Sequence, residues 1–479
     1  MVQTLDRDHL RNLLIEQKVK KHVTGKVLDI LPFLTKRTKA IKDGFNSVLG
    51  EYIRNISEIN VKDLKNKKGN EFYMVSEEDD ISQLIANEVE FDSEDDEFDF
   101  IRFLNQYLFN QDKIQPVHPF LFNYIKLNKD LQNEFGKYAK FMSEVLVADH
   151  PAIKSIFTNK DSEDILTELI LSKLDTLEYE KDKQQDKVKK KNQYQQLLPS
   201  MAKLYQEDMI YLSKYKDYFL TSFPQLTHFY AFMYACQLIF KFEQFTEADF
   251  ESTQPLYFAL EWESISKRRK AADDLDGFKY IKGKSNHLFP HINTISQLSY
   301  NSFTNSFDEE IESLPFIPYS ELIKLIYGQG EEYQKDFLIE LNQWINDYAN
   351  WFEIEVPDPS IDIPDAFKVL FDCIKEGTSS EVAKKYGENI EDLGAPFLKS
   401  RGSLGQVYNI KHDFLLLLTA VSVKDQRMPL NELFTEFEKR GVAFDRYSRK
   451  EIITLFDNHN ILDKKSDSGD AQYVKPILL

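Results

Sequence analysis

The sequence predicts a mainly α protein: a multi-domain helical chain with a C-terminal winged-helix-like domain. Three observations predict it. Gly and Pro number only 16 each in 479 residues, too few for a turn-rich β architecture. Amphipathic and apolar runs at helical spacing recur through the first four hundred residues. The tail then changes character, to three helix patterns followed by two short strands around Asp467-Ser468-Gly469-Asp470.

Length alone asks for two to four cores, and 42% apolar residues supply the material. The first unit, 1–177, opens on amphipathic patterns such as Leu10, Leu13, Leu14 and Val19. Its acidic segment, Glu77 to Asp99, reads as a solvated loop or helix face. Several helices rich in Phe, Tyr and Leu follow over 101–175, with a break at Pro116 and Pro119. Residues 178–196 are Lys, Asp, Glu and Gln with almost no apolar anchor, and are expected to be a linker or exposed helix. The second helical unit, 197–400, centres on Phe219 to Phe245, dense enough in aromatic and aliphatic residues to be core. A break with turns is expected over Asp273 to Asn305, and a connector where Pro357, Pro359 and Pro364 cluster. A further helical patch covers Ala366 to Tyr386.

The winged-helix-like unit, 401–479, begins with Gly402-Ser403-Leu404-Gly405 as a flexible entry and Gln406–Ile410 as a strand. Phe414 to Val423 predicts a buried helix. Asn431 is the expected cap of a second helix running to Lys439, with Leu433, Phe434 and Phe437 on its inner face. Lys439 and Arg440 suit its C-terminal dipole, and Gly441 its C′ position. A third helix begins between Asp445 and Ser448. Ser448 and Glu451 have capping-box spacing, and Ile452, Ile453 and Phe456 form the core stripe. Strands at Leu462–Lys464 and Gln472–Lys475 close the unit.

In a winged helix the third helix is the reading element. Tyr447, Lys450 and Thr454 point away from the core stripe, and Arg446 lies at the edge of that face. With the wing cations Lys464, Lys465 and Lys475 they make the candidate DNA-binding set. Arg449 falls nearer the core. The electrostatic case for DNA is weak. The chain carries a net charge of -19, and residues 401–479 hold 12 Lys and Arg against 11 Asp and Glu, so the tail is a neutral unit on an acidic body. Asp467 and Asp470 would repel phosphates at the wing. Protein contact is therefore favoured over duplex DNA.

No catalytic, cofactor-binding or metal-binding residues are expected, and no cofactor. There is no phosphate-binding loop; Gly283-Lys284-Ser285 is a fragment of one and is read as a loop. His287 and His291 stand four apart, but Pro290 separates them and no glutamate follows His287. Pro357-Asp358, Pro364-Asp365, Asp63-Leu64-Lys65 and Asp463-Lys464-Lys465 are nuclease-like fragments without a common frame. Cys236 and Cys373 sit in apolar surroundings and read as buried thiols of a reducing compartment. The start has no apolar signal region, and Phe229–Phe240 is too short to span a membrane, so a cytoplasmic setting is expected.

The tail also resembles the DNA phosphorothioation-dependent restriction proteins of the DptG (DndG) family. The resemblance lies in Arg401–Gly405, Phe414–Thr419, Phe437–Gly441 and Ser466–Val474, about the last eighty residues. It implies a role in bacterial anti-phage defence, as a restriction-complex subunit beside DptF-like and DptH-like ATPase partners. It supplies no catalytic residues. The alternatives are an autonomous winged-helix DNA-binding regulator and, less favoured, a divergent metal-dependent nuclease.

Overall fold

The computed structural model describes residues 3–16, 21–60, 81–87, 89–110, 113–127, 131–162, 164–172, 178–179, 192–264, 277–308, 310–464 and 472–478. The protein is mainly α. The helices used below are α1 (Ile41–Ser57), α2 (Glu94–Leu108), α3 (Pro199–Leu212), α4 (Lys216–Glu243), α5 (Phe278–Lys284), α6 (Leu288–Leu298), α7 (Tyr319–Gly328), α8 (Glu331–Phe352), α9 (Ile363–Gly377) and α10 (Ser380–Leu393).

At its centre is α4, 28 residues long and, from Leu226 to Phe242, buried on every side. Such a helix has no face to offer water, so the rest of the chain must enclose it. From Phe229 to Phe242 every residue is buried. Its polar groups are answered from neighbouring elements. Tyr234 Oη accepts the Leu197 N–H at 2.6 Å. Gln237 brackets the Gln254 backbone with two bonds of 2.8 Å. His228 stacks on Phe45 of α1 at 3.8 Å and bonds the Leu393 carbonyl of α10 at 2.6 Å. No helix among the described residues is long and apolar enough to cross a membrane.

Buried apolar side chains from Leu5 to Val474 form one continuous cluster. Residues 1–177, 197–400 and 401–479, expected as separate units, therefore share a core. Arg37 clamps Asp392 of α10 with bonds of 2.6 and 2.9 Å, and Thr4 and Leu5 donate to Glu340 of α8. A second, smaller cluster joins Leu104 and Leu108 of α2 to Phe120, Leu121, Tyr124 and Ile170. The acidic run Glu94–Glu97 forms the exposed first turn of α2, where carboxylates favour the helix dipole. Pro119 begins a short 3-10 turn, in keeping with the expected break. Most of 178–196 lies outside the described residues, but Tyr194 is buried in the main core.

The expected break over 273–305 is instead largely helical, as α5 and α6. Pro290 is the third residue of α6, where its missing N–H needs no partner within the helix, so it does not interrupt the element. Gly402–Gly405 is not a flexible entry. It is the turn of a β-hairpin, closed by the Arg401 N–H on the Gly405 carbonyl at 2.8 Å.

That hairpin belongs to a four-stranded sheet. Its strands are β1 (Leu256–Leu260), β2 (Leu398–Ser400), β3 (Gln406–Ile410) and, further on, Val442–Ala443, in the order β2, β3, β1, Val442–Ala443. β1 runs parallel to β3, with Phe258 opposite Tyr408, and parallel to Val442–Ala443. The remaining tail elements are α11 (His412–Val423), β4 (Met428–Pro429), α12 (Leu430–Lys439), β5 (Val442–Ala443, the sheet's outer strand), α13 (Arg446–Asn458), β6 (Leu462–Lys464) and β7 (Gln472–Val474). β6, β7 and β4 form an antiparallel sheet in that order.

The tail is locked to the body by one buried ion pair. Arg440 and Asp208 of α3 are both fully buried and joined by bonds of 2.7 and 2.9 Å, and the Tyr230 hydroxyl donates to Asp208 at 2.6 Å. Arg440 therefore does not serve as an exposed dipole cation. Asp208→Ala is expected to destabilise the protein by about 3–5 kcal/mol, because Arg440, fully buried, keeps only Glu436 as a charged partner. Asp208→Leu with Arg440→Met should recover most of that loss in urea denaturation.

Burial pushes the imidazoles of His22 and His228 down from 6.5 to about 4. The unfolded chain takes up those protons below about 6.5, and the folded chain only near 4. Stability is therefore expected to fall as pH drops through that window. Urea midpoints at pH 7 and pH 5 check this, and the drop should shrink in His228→Gln.

Candidate functional site

Two places gather functional side chains. The first is the outer face of α13. Asp445 caps this helix, accepting from the Tyr447 and Ser448 amides at 2.9 and 2.7 Å. Ser448, expected as the cap, lies inside the helix, and its hydroxyl donates to the Glu263 carboxylate at 2.9 Å. Asn431 likewise does not cap α12, which starts after Pro429 without a side-chain cap. Gly441 does take the expected left-handed conformation, at φ +84. Ile452 and Phe456 are buried and Ile453 half-buried, so the inward stripe is as read from the periodicity.

Arg446, Tyr447, Lys450 and Thr454 are all exposed on the opposite side. Arg446 bonds the Tyr447 hydroxyl at 2.6 Å and lies 4.6 Å from its ring centroid. Arg449 turns inward, donating to the Phe444 carbonyl and Glu438 over the Phe434 ring. Of the three cations expected in the wing, Lys475 is the one whose side chain is described, and it is paired. Lys475 is drawn to Asp463 at 3.7 Å and Asn460 at 3.2 Å, and Arg427 takes the other oxygen of Asp463 at 2.8 Å. Lys464 ends β6, and Lys465 lies outside the described residues. Exposed Glu451 and Asp457 on α13 balance Arg446 and Lys450. The face is thus mixed in charge, with an arginine-covered tyrosine at its centre.

One basic run in the sequence carries no role in the reading above. It is Lys267-Arg268-Arg269-Lys270, which lies outside the described residues.

The second place is a cluster that the sequence reading set aside. Glu243 is the last residue of α4, His287 ends a 3-10 turn over Ser285–His287, and His291 lies in the first turns of α6. One potential ligand atom from each lies within 4.8 Å of the others. Glu243 Oε1 is 2.6 Å from His287 Nδ1 and 3.4 Å from His291 Nε2, and Lys284 Nζ holds Oε2 at 2.7 Å. Burial pushes the Glu243 carboxyl up, but hydrogen bonds from His287, His291 and Lys284 outweigh it and hold the group well below the usual carboxylate range. Burial pushes His291 down to about 4 against the pull of Glu243. The signal was half-present, as the four-residue histidine spacing. The third member was out of reach, because it comes from 44 residues upstream of His287.

Among the described residues the nuclease-like fragments do not make such a set. Pro364-Asp365 opens α9 under the Asp362 cap, Asp463 is paired with Arg427 and Lys475, and 63–65 lie outside the described residues. Both cysteines are free and buried, and burial pushes the Cys236 thiol up to about 12 and Cys373 to about 11. Neither is poised to be a nucleophile.

No protein-family model matches the sequence, and no curated protein matches it.

The 3-10 turn that carries His287 sits against α10 at Gly387. A Cβ there would lie 2.6 Å from the Ser285 carbonyl oxygen. Gly387→Ala is expected to cost about 1–3 kcal/mol by forcing the two elements apart. Gly283→Ala, where an added Cβ meets nothing within 4 Å, should be neutral or stabilising. Thermal unfolding of the two variants side by side measures the difference.

Proposed function

We propose that this chain is a non-catalytic subunit of a bacterial DNA phosphorothioation-dependent restriction complex, docking larger partners through the outer face of α13. The observation that carries the docking role is that face: Arg446, Tyr447, Lys450 and Thr454 stand exposed together on a helix whose other side is fixed in the shared core. Arginine and tyrosine are the residue types that most often anchor protein interfaces. Glu451 and Asp457 beside them suit a partner of mixed charge better than a polyanion. The resemblance of the tail to the DptG family supplies the setting, with DptF-like and DptH-like ATPase subunits as the partners. The two free buried thiols accord with a cytoplasmic location.

A DNA-contacting role, as subunit or as autonomous regulator, is favoured by one observation. The order α11, β4, α12, β5, α13, β6, β7, with β7 between β6 and β4, resembles a winged helix-turn-helix with one added strand, and supports that reading. The net charge of the chain weighs against DNA as the main ligand.

Co-purification of the full chain with the two ATPase subunits tests the proposal. Tyr447→Ala with Lys450→Glu is expected to weaken the complex by about 10-fold or more while leaving the melting temperature unchanged. An unaltered affinity would remove this face from the interface. Binding of the full chain alone to duplex DNA, falling steeply with salt and lost in Arg446→Ala and Lys450→Ala, would favour the regulator instead.

A further inference from the structure

We propose that Glu243, His287 and His291 form a mononuclear site for a zinc-class divalent transition-metal ion. The donor set is chemically apt. Two imidazole nitrogens and one carboxylate oxygen match three-protein-ligand zinc sites, whereas magnesium and calcium prefer oxygen alone.

The geometry is close to what an ion needs. Bonds of about 2.0–2.1 Å in a tetrahedron set ligand atoms roughly 3.3 Å apart. Glu243 Oε1 is 3.4 Å from His291 Nε2 and 2.6 Å from His287 Nδ1. An entering ion therefore has to open the Glu243–His287 separation by about 0.7 Å, and all three ligand atoms already lie within 4.8 Å of one another. His287 keeps 19% of its side chain exposed, Glu243 11% and His291 2%. The site is thus sealed on the His291 side and reachable at His287, where a water can complete the coordination.

The surroundings have the form of an outer shell. His291 Nδ1 lies 3.2 Å from the Tyr319 hydroxyl, a contact that can hold the ring with Nε2 turned to the ion. Phe371 stacks on His291 at 4.0 Å and meets His287 edge-on at 5.6 Å, and Phe245 closes another side. Lys284 occupies Oε2 of the glutamate and leaves Oε1 for the ion. All three ligands stand on helical elements, so the frame is rigid before any ion arrives. With no nucleophile or second carboxylate in the cluster, the ion ties the end of α4 to the start of α6.

The test uses the full chain, stripped with a chelator and then titrated with zinc by calorimetry, and with cobalt by visible spectroscopy. One ion per chain is expected, with tetrahedral cobalt absorption, a raised melting temperature in zinc, and no response to magnesium or calcium. His287→Gln, the most exposed member and the least disruptive change, should weaken zinc binding by at least about 100-fold, and Tyr319→Phe by about 10-fold. Stripped protein that remains folded but takes up no stoichiometric zinc below about 100 μM would overturn the proposal, and would leave the cluster a hydrogen-bonded network only. Unchanged zinc affinity in folded His287→Gln would overturn it equally.

Discussion

Everything in this fold answers to the burial of α4. A helix whose stretch from Leu226 to Phe242 is buried around its whole circumference can exist in water only if other elements cover each side. The N-terminal helices cover it through Phe45 and Phe122, the C-terminal strands through Tyr408, and α11 through Phe414. The covering segments come from the whole length of the chain. That is why one continuous core replaces the succession of domains that composition and linkers suggest.

The polar groups carried inside by this arrangement decide how the parts are oriented. Tyr52, Tyr205 and Thr227 form a buried chain of hydroxyls with separations of 2.6 and 2.9 Å. Asp208, Tyr230 and Arg440 form a second network that joins α3, α4 and the tail. Apolar contact alone tolerates sliding, whereas an unmet buried charge does not. The tail is therefore held in one pose. Its exposed helix face is offered on a rigid support, which is what a docking surface requires.

The same enclosure explains the two candidate sites. On α13 the inner stripe is consumed by the core, which leaves Arg446, Tyr447, Lys450 and Thr454 exposed on the outer side. At the end of α4 the helix emerges beside α5 and α6, and its last residue is brought against two histidines in an aromatic surround. One site lies on the surface by periodicity. The other arises where three elements converge.

How much of this was legible in the sequence follows from the range of the forces involved. Helical content, the buried run from Phe219 onward, the helix and strand order of the tail, and the outward side of α13 all follow from local periodicity, because a 3.6-residue repeat places side chains without reference to the rest of the chain. Short strands such as Val442–Ala443, the helices around Pro290, the caps at Asp445 and Pro429, and the shared core did not follow from it. Arg440 reads locally as a dipole cation and becomes half of a buried pair only because Asp208, 232 residues away, is packed against it. Glu243 joins His287 and His291 for the same reason. Local spacing determines which way a residue faces, and only the packing of distant elements decides what it faces, since burial and electrostatic pairing act through space and not along the chain.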